Sequence, residues 1–224
     1  MKDKPSLKWR LREPFWRLYT KLETELHPLR YLFWESTRRC NLRCRHCGSD
    51  CTRESNVTEL TEKQILRVME DIAAAFRSHK IMVVITGGEP LVRPDLLPIM
   101  KKIRQLGFRL GMVTNGFALD RSAAQELATV GLESVVVSLD GPEEEHNWLR
   151  CNPRSFERAT NGLTYLLEAG VPLVEAISCV HNGNLDSLEA TFQLLRQLGV
   201  KWWRLFNIFA KGRAFDDPVL LLTD

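Results

Sequence analysis

The segment from Met82 to Gly116, MVVITGGEPLVRPDLLPIMKKIRQLGFRLGMVTNG, decides the fold. It opens with a strand-sized apolar run, Met82–Thr86. Pro94–Leu106 follows with helix-spaced apolar residues, Gly107 ends that stretch, and a second apolar run covers Arg109–Val113. The same rhythm of helix, glycine and strand returns at Gly131, Gly170 and Gly199. Successive strand centres at Ile85, Met112 and Val136 lie about 25 residues apart, room enough for a crossover helix, so the sheet is expected to be parallel. Strands are expected at Leu32–Ser36, Met82–Thr86, Arg109–Val113, Ser134–Leu139, Leu173–Val180 and Trp202–Asn207. Helices are expected at Glu62–Phe76, Pro94–Leu106, Arg121–Val130, Ser155–Ala169 and Leu185–Leu198. Thr61 with Gln64 reads as a capping box, and Asp120 and Ser155 read as N-caps. Six such strands make an open doubly wound sheet or an incomplete barrel, and periodicity leaves both open. Either one places its ligand at the carboxyl ends of the strands.

Around this core, composition sets bounds. The chain has 224 residues of which 44% are hydrophobic, too many for a disordered protein. Lysine and arginine number 31 against 28 acids, and a net charge of +3 argues against a globally basic nucleic-acid binder. Apolar runs such as Ile81–Ile85 and Val135–Val137 are strand-sized, far short of the roughly 18–20 residues of a membrane-spanning helix. The first thirty residues interleave Lys2, Lys4, Lys8, Arg10, Arg12 and Arg17 with Trp9, Phe15 and Trp16, unlike a signal peptide. A cytosolic protein without a membrane partner is the expectation. Residues 5–27 read as an amphipathic helix, with Leu7, Leu11, Phe15, Leu18, Leu22 and Leu26 on one face and His27-Pro28 ending it. The expected organisation is an amino-terminal helical extension over 1–30, a core domain over 31–214 and a tail over 215–224.

The chemistry lies in the cysteines. In a reducing cytosol, clustered thiols signal metal more often than disulfide. Cys40, Cys44, Cys47 and Cys51 fall within twelve residues, immediately after the first strand, while Cys151 and Cys179 stand alone. Cys40-x3-Cys44-x2-Cys47 can hold three irons of a cubane cluster and leave the fourth without a protein ligand. The neighbouring Arg38, Arg39, Arg43 and Arg45 would favour thiolates and an anionic cluster. A zinc site built from the same thiols, with Cys51 or His46, is the competing reading.

Taken with Gly87-Gly88-Glu89-Pro90 after the second strand, this loop resembles the radical S-adenosylmethionine (radical SAM) superfamily. Thr114-Asn115-Gly116, Ser138-Leu139-Asp140-Gly141-Pro142, Ser155-Phe156-Glu157-Arg158-Ala159 and Lys211-Gly212-Arg213-Ala214 extend the resemblance from about Trp34 to Ala214. It implies an α/β fold, a partial (β/α)6 barrel of parallel strands. It also implies one [4Fe-4S] cluster on Cys40, Cys44 and Cys47, with S-adenosylmethionine (SAM) chelating the open iron and cleaved by one electron to a 5′-deoxyadenosyl radical that takes hydrogen from a substrate. A reductase such as flavodoxin or ferredoxin would supply the electron.

Residue by residue, the resemblance implies that Gly87, Gly88, Glu89 and Pro90 form a SAM-binding turn, with Glu89 pairing with the SAM amino group. His46 takes the place of an aromatic residue near adenine, or is a solvated loop histidine. Asn115, Ser138 and Asp140 would hold ribose hydroxyls, although Asp140 also fits as a turn residue. Arg150 and Arg204 are candidates to meet the SAM carboxylate or the substrate. Cys51 reads as a spectator more readily than as a ligand, Cys179 as core filler, and Trp202 and Trp203 as packing rather than a base-stacking platform. Two positions depart from the family pattern: Cys151 stands where relatives commonly carry glycine, and Asn147 where aspartate is frequent. The nearest branch matures peptides or proteins, with haem-type cofactor synthesis as the alternative. Many relatives there continue into a cysteine-rich carboxyl-terminal domain. No second cysteine cluster occurs here, so the expectation is either an enzyme that works as a bare core or one in which the apolar tail Pro218–Leu222 starts a further domain.

Overall fold

A computed structural model describes residues 7–215 and 217–222, with the side chains of 7–11 and 24–26 outside the description. The chain divides between Arg30 and Tyr31 into two compact units. The first contains helix α1, Leu7–Leu26, which carries Pro14 inside it. Phe15, Leu18 and Leu22 of the expected apolar stripe are exposed, while Leu7, Leu11 and Leu26 lie outside the described side chains. Among the described residues no helix is long and apolar enough to cross a membrane.

The second unit is built on six parallel strands: β1 (Tyr31–Glu35), β2 (Met82–Thr86), β3 (Arg109–Thr114), β4 (Leu132–Ser138), β5 (Leu173–Val180) and β6 (Trp202–Asn207). Their order across the sheet is sequential, with β1 and β6 at its two ends. A doubly wound sheet reverses its strand order at a switch point, whereas sequential right-handed crossovers put every helix on one face. The open alternative is thereby removed, and the sheet is an incomplete barrel. Between the strands run α2 (Glu62–Ala75), α3 (Leu96–Gln105), α4 (Arg121–Val130), α5 (Glu143–Arg150), α6 (Ser155–Glu168) and α7 (Leu188–Gln197).

Strand alternation separates two surfaces. Val83, Ile85, Leu110, Val135 and Val137 are fully buried on the helix side, where Ile99 and Ile103 of α3, Leu127 of α4 and Leu163 of α6 meet them. Each such side chain contributes about 1.5–3 kcal/mol by leaving water. The other set, including Met82, Val84, Gly111, Ser134 and Val136, lines the concave interior.

Thr61 and Gln64 form the expected capping box, and the Asp120 side chain accepts from Ala123 N. Ser155 does not cap α6. Arg154 is the N-cap, and the Ser155 hydroxyl donates to Asn152 O and Asn147 Oδ1 instead. Asn147 does the capping work from α5, its Oδ1 accepting Phe156 N at 2.8 Å. An aspartate there would serve the same donors, so this departure from the family pattern keeps a structural role. Trp203 packs as expected, stacking on Phe192 and donating its Nε1–H to Ser178 Oγ, but Trp202 is exposed. From the tail, Leu220 is fully buried against Leu149, Ile208 and Ala214.

Cys151, just past α5, sits in the left-handed region with φ 54° and ψ 38°. A side chain there costs about 1–2 kcal/mol, which is why glycine suits the position. Cys151→Gly is expected to stabilise the protein by about 1 kcal/mol, raising Tm by roughly 2–4 °C in a thermal melt.

Candidate active site

The cysteine loop begins where β1 ends and is tied down at both ends by backbone. Cys40 N donates to Thr52 O at 2.8 Å, within an isolated bridge between Arg39 and Thr52. Gly88 N and Glu89 N donate to Thr37 O and Arg39 O, so the turn after β2 lies flat against the root of the loop. A Cβ on Gly88 would fall 2.3 Å from Arg39 O, and one on Gly212 would fall 2.4 Å from Cys47 O. Both contacts are with backbone that cannot step aside. Gly88→Ala is therefore expected to push the loop off its seat. It should cost about 1–3 kcal/mol and lower iron uptake relative to the parent, read by denaturant titration and iron assay.

Cys40, Cys44, Cys47 and Cys51 are all free thiols, and they line one cavity of about 220 Å³ at the carboxyl ends of β2, β3 and β4. They ring this space rather than meeting at a point. Among the described residues, no three His, Cys, Asp or Glu side chains lie close enough together to hold a single metal ion. A cubane offers its irons at separate corners, so a ring of thiols suits a cluster better than one zinc ion. Gly87 and Gly88 also line this cavity, joined by Asn115 and Ser138 from the ends of β3 and β4. Asn115 Nδ2 lies 2.8 Å from Asn41 Oδ1 and 3.7 Å from Cys40 Sγ. His46 also lines the cavity, its Nδ1 buried without a hydrogen-bond partner.

The turn divides its residues between two jobs. Glu89 is fully buried and lies outside the cavity lining. Its carboxylate accepts from Leu91 N, Thr114 Oγ1 and Asn115 N at 2.7–3.1 Å, knitting the end of β2 to that of β3. Pro90 is buried too and opens the 3₁₀ turn Pro90–Val92.

Positive charge reaches the thiols from distant parts of the chain. Arg150 Nη1 lies 3.7 Å from Cys44 Sγ, while its Nε donates to Asp140 Oδ2 at 2.7 Å. Asp140 Oδ1 also accepts Cys179 N from β5. Arg213 donates from Nε to Cys44 O and from Nη1 to Cys51 O and the Asp50 carboxylate, and its backbone N–H meets Cys47 O. Among the loop's own arginines, only Arg38 offsets part of the burial effect at a loop thiol, Cys51. Arg39 pairs with Glu59, Arg45 lies over the Trp148 ring, Arg38 reaches Ser49 O, and Arg43 is exposed. Arg204 is remote from the thiols, paired with Glu175 across β5 and β6 in the lower interior. Cys179 is half-buried beside Leu149, Ile208 and Ala214.

These surroundings set the titrations. Burial pushes the Cys40 thiol up to about 11 and raises Cys44 and Cys51, with Arg150 offsetting part of the rise at Cys44. Burial also pushes the Asp140 carboxyl up, but the Arg150 charge outweighs it and holds the group well below the usual carboxylate range. His46 is driven down to about 3 by burial and then by Arg150, so its imidazole is neutral. A bound metal deprotonates a coordinating thiol outright, so the buried thiols release protons as they load.

A family model described as the radical SAM superfamily matches residues 34–195. The chain belongs to the radical SAM superfamily. Within it, an AdoMet-dependent heme synthase of Methanosarcina barkeri is 32% identical over 186 residues, covering 83% of this chain and 52% of that protein. A PqqA peptide cyclase of Methylorubrum extorquens is 29% identical over 198 residues, covering 86% and 50%. The chain thus spans about half the length of the relatives it matches. The same partial barrel occurs in the crystal structure of Streptococcus suis SuiB bound to S-adenosylmethionine, with TM-score 0.68 and 14% identity over 100% of this chain and 51% of that one. At that identity, the likeness is one of fold.

One feature of this site escaped the sequence reading: Arg213 was visible only as part of Lys211–Ala214, without a role. Cys51, read there as a spectator more readily than a ligand, lines the same cavity as the other three thiols.

Proposed function

We propose that this chain is the core of a radical SAM enzyme, with a [4Fe-4S] cluster on Cys40, Cys44 and Cys47. The observation that carries the reading is the cavity itself. Three thiols of one short loop line it at the carboxyl ends of the strands, together with Gly87 and Gly88. When bound there, the cluster and SAM supply one-electron cleavage chemistry, producing a carbon radical that can take hydrogen from a substrate.

The chain's own residues do the holding and shielding. Arg150 and Arg213 place positive charge beside an anionic cluster, and Asp140 fixes the aim of Arg150. Gly87 and Gly88 let the turn lie against Thr37 and Arg39 at the root of the loop while bordering the cavity offered to SAM, and Glu89 and Pro90 keep that turn rigid from behind. Asn115 and Ser138 offer polar groups to the ribose, and neutral His46 offers a ring edge and a free Nδ1 to the adenine. Asp140 is bound up with Arg150 and the β5 backbone, so its part is to position rather than to touch the ribose.

For the substrate, the reading is a peptide or protein undergoing maturation, supported by the relationship to the PqqA peptide cyclase. The similarity to the AdoMet-dependent heme synthase supports a tetrapyrrole-type cofactor precursor as the second reading. A flavodoxin or ferredoxin would deliver the electron, in a reduced cytosol that suits six free cysteines. Electron paramagnetic resonance (EPR) of the anaerobically loaded and reduced protein tests the site. A cubane signal that changes on adding SAM is expected, and a signal indifferent to SAM would contradict it.

A further inference from the structure

Cys51 is not needed by a three-cysteine cluster, yet it is one of the most carefully placed thiols in the molecule. It is 4% exposed and packs with Cys40, Leu42 and Cys44. Its backbone N–H points at Cys47 Sγ from 3.5 Å, its carbonyl is held by Arg213 at 3.1 Å, and the next residue is bridged to Cys40. The sulfur itself makes a long contact, 4.0 Å, to Ser49 O.

Its position relative to the glycine turn matters more. Cys51 lines the 220 Å³ cavity of the three loop cysteines and also an adjoining cavity of about 450 Å³, and Gly87 lines both. The fourth thiol therefore borders the same space as the turn assigned to SAM. The buried, unpartnered Nδ1 of His46 opens onto the first of these cavities as well, marking it as a place that expects a ligand.

We propose that Cys51 is a fourth, exchangeable thiolate ligand: without SAM it holds the iron that the Cys40–Cys47 loop leaves open, and it gives up that iron when SAM arrives. The inference rests on the radical SAM reading of the site. The exchange is a ligand substitution with no change in oxidation state. Cys51 breaks its Fe–S bond as bonds form from iron to the amino nitrogen and a carboxylate oxygen of SAM. The departing Cys51 sulfur takes the proton that the SAM ammonium group loses on coordinating. Such a ligand would keep the reactive corner of the cluster closed against oxidation and iron loss until the co-substrate is present, since four thiolates complete the coordination of a cubane.

The test uses anaerobically loaded parent, Cys51→Ala and Cys51→Ser. After mild ferricyanide oxidation without SAM, the three-iron EPR signal reports loss of the open-corner iron. Both variants are expected to give a signal larger than the parent by roughly fivefold or more, and SAM added beforehand should remove the difference. Equal signals in parent and variants without SAM would overturn the proposal. Mössbauer spectra of the parent loaded with iron-57 give a check free of mutation. Four sulfur-ligated irons without SAM, one of which shifts on its addition, are expected, whereas a distinct fourth iron already present before SAM contradicts the assignment. A parent that assembles no cubane at all would sink the radical SAM reading itself and this inference with it.

Discussion

Cys44→Ala is expected to leave a folded protein that no longer assembles a four-iron cluster, with bound iron below about one-tenth of the parent value after anaerobic loading. The two halves of that statement come from different magnitudes. Losing one buried sulfur removes about 1 kcal/mol of packing, small beside the roughly 5–15 kcal/mol that holds a domain together. As a ligand the same atom is irreplaceable, because alanine offers nothing to an iron that already has only one protein donor. Cys44 is also the thiol that faces Arg150, so the variant leaves that guanidinium without its sulfur contact. Cys40→Ala and Cys47→Ala should behave alike. Cys151→Ala should load normally, because that thiol is exposed and does not line the cavity. Circular dichroism beside an iron and sulfide assay separates loss of ligand from loss of fold.

Asp140→Ala carries the largest expected penalty in stability. Asp140 is buried, as is Arg150, and the pair is joined at 2.7 Å. Truncating the carboxylate strands a guanidinium that cannot shed its proton, at a cost of about 3–5 kcal/mol. Cys179 N loses its acceptor in the same step. The sign of the pH dependence follows from the depressed Asp140 carboxyl. Its contribution is fully present above the unfolded-state value of about 4 and is lost as the pH falls through the lower folded-state value. Denaturant titrations of the cluster-free protein should therefore show a wide gap between parent and variant at neutral pH that narrows below about pH 4. A gap that stayed constant would mean that Asp140 acts through packing rather than charge.

Much of this molecule could be read from local pattern. The strand runs and glycine stops of the crossover units need only near neighbours, and β2, β5, β6 and α4 have the expected limits. The cysteine loop is legible for the same reason, as all its ligands lie on one short segment. Helix α5 was not. Its sequence EEEHNWLR buries only His146, Leu149 and Arg150, two of them polar, so no apolar stripe announces it. Long-range pairing was also invisible. Nearby arginines looked like the natural partners of the thiols, yet Arg150 comes from 106 residues beyond Cys44 and Arg213 from 169. Sequence proximity is a poor guide where a barrel gathers loops from every strand end into one place. Glu89 teaches the same lesson, since its burial depends on donors from β3 that its own motif does not contain.

The cavity shared by three thiols with Gly87 and Gly88 has one direct functional test. The protein should be loaded with iron and sulfide under anaerobic conditions, reduced with dithionite and incubated with SAM, with Cys44→Ala treated in parallel. The account expects 5′-deoxyadenosine and methionine from the parent and neither from the variant. A parent that binds a full cluster and SAM yet yields no 5′-deoxyadenosine, or a variant that cleaves SAM as well as the parent, would contradict it.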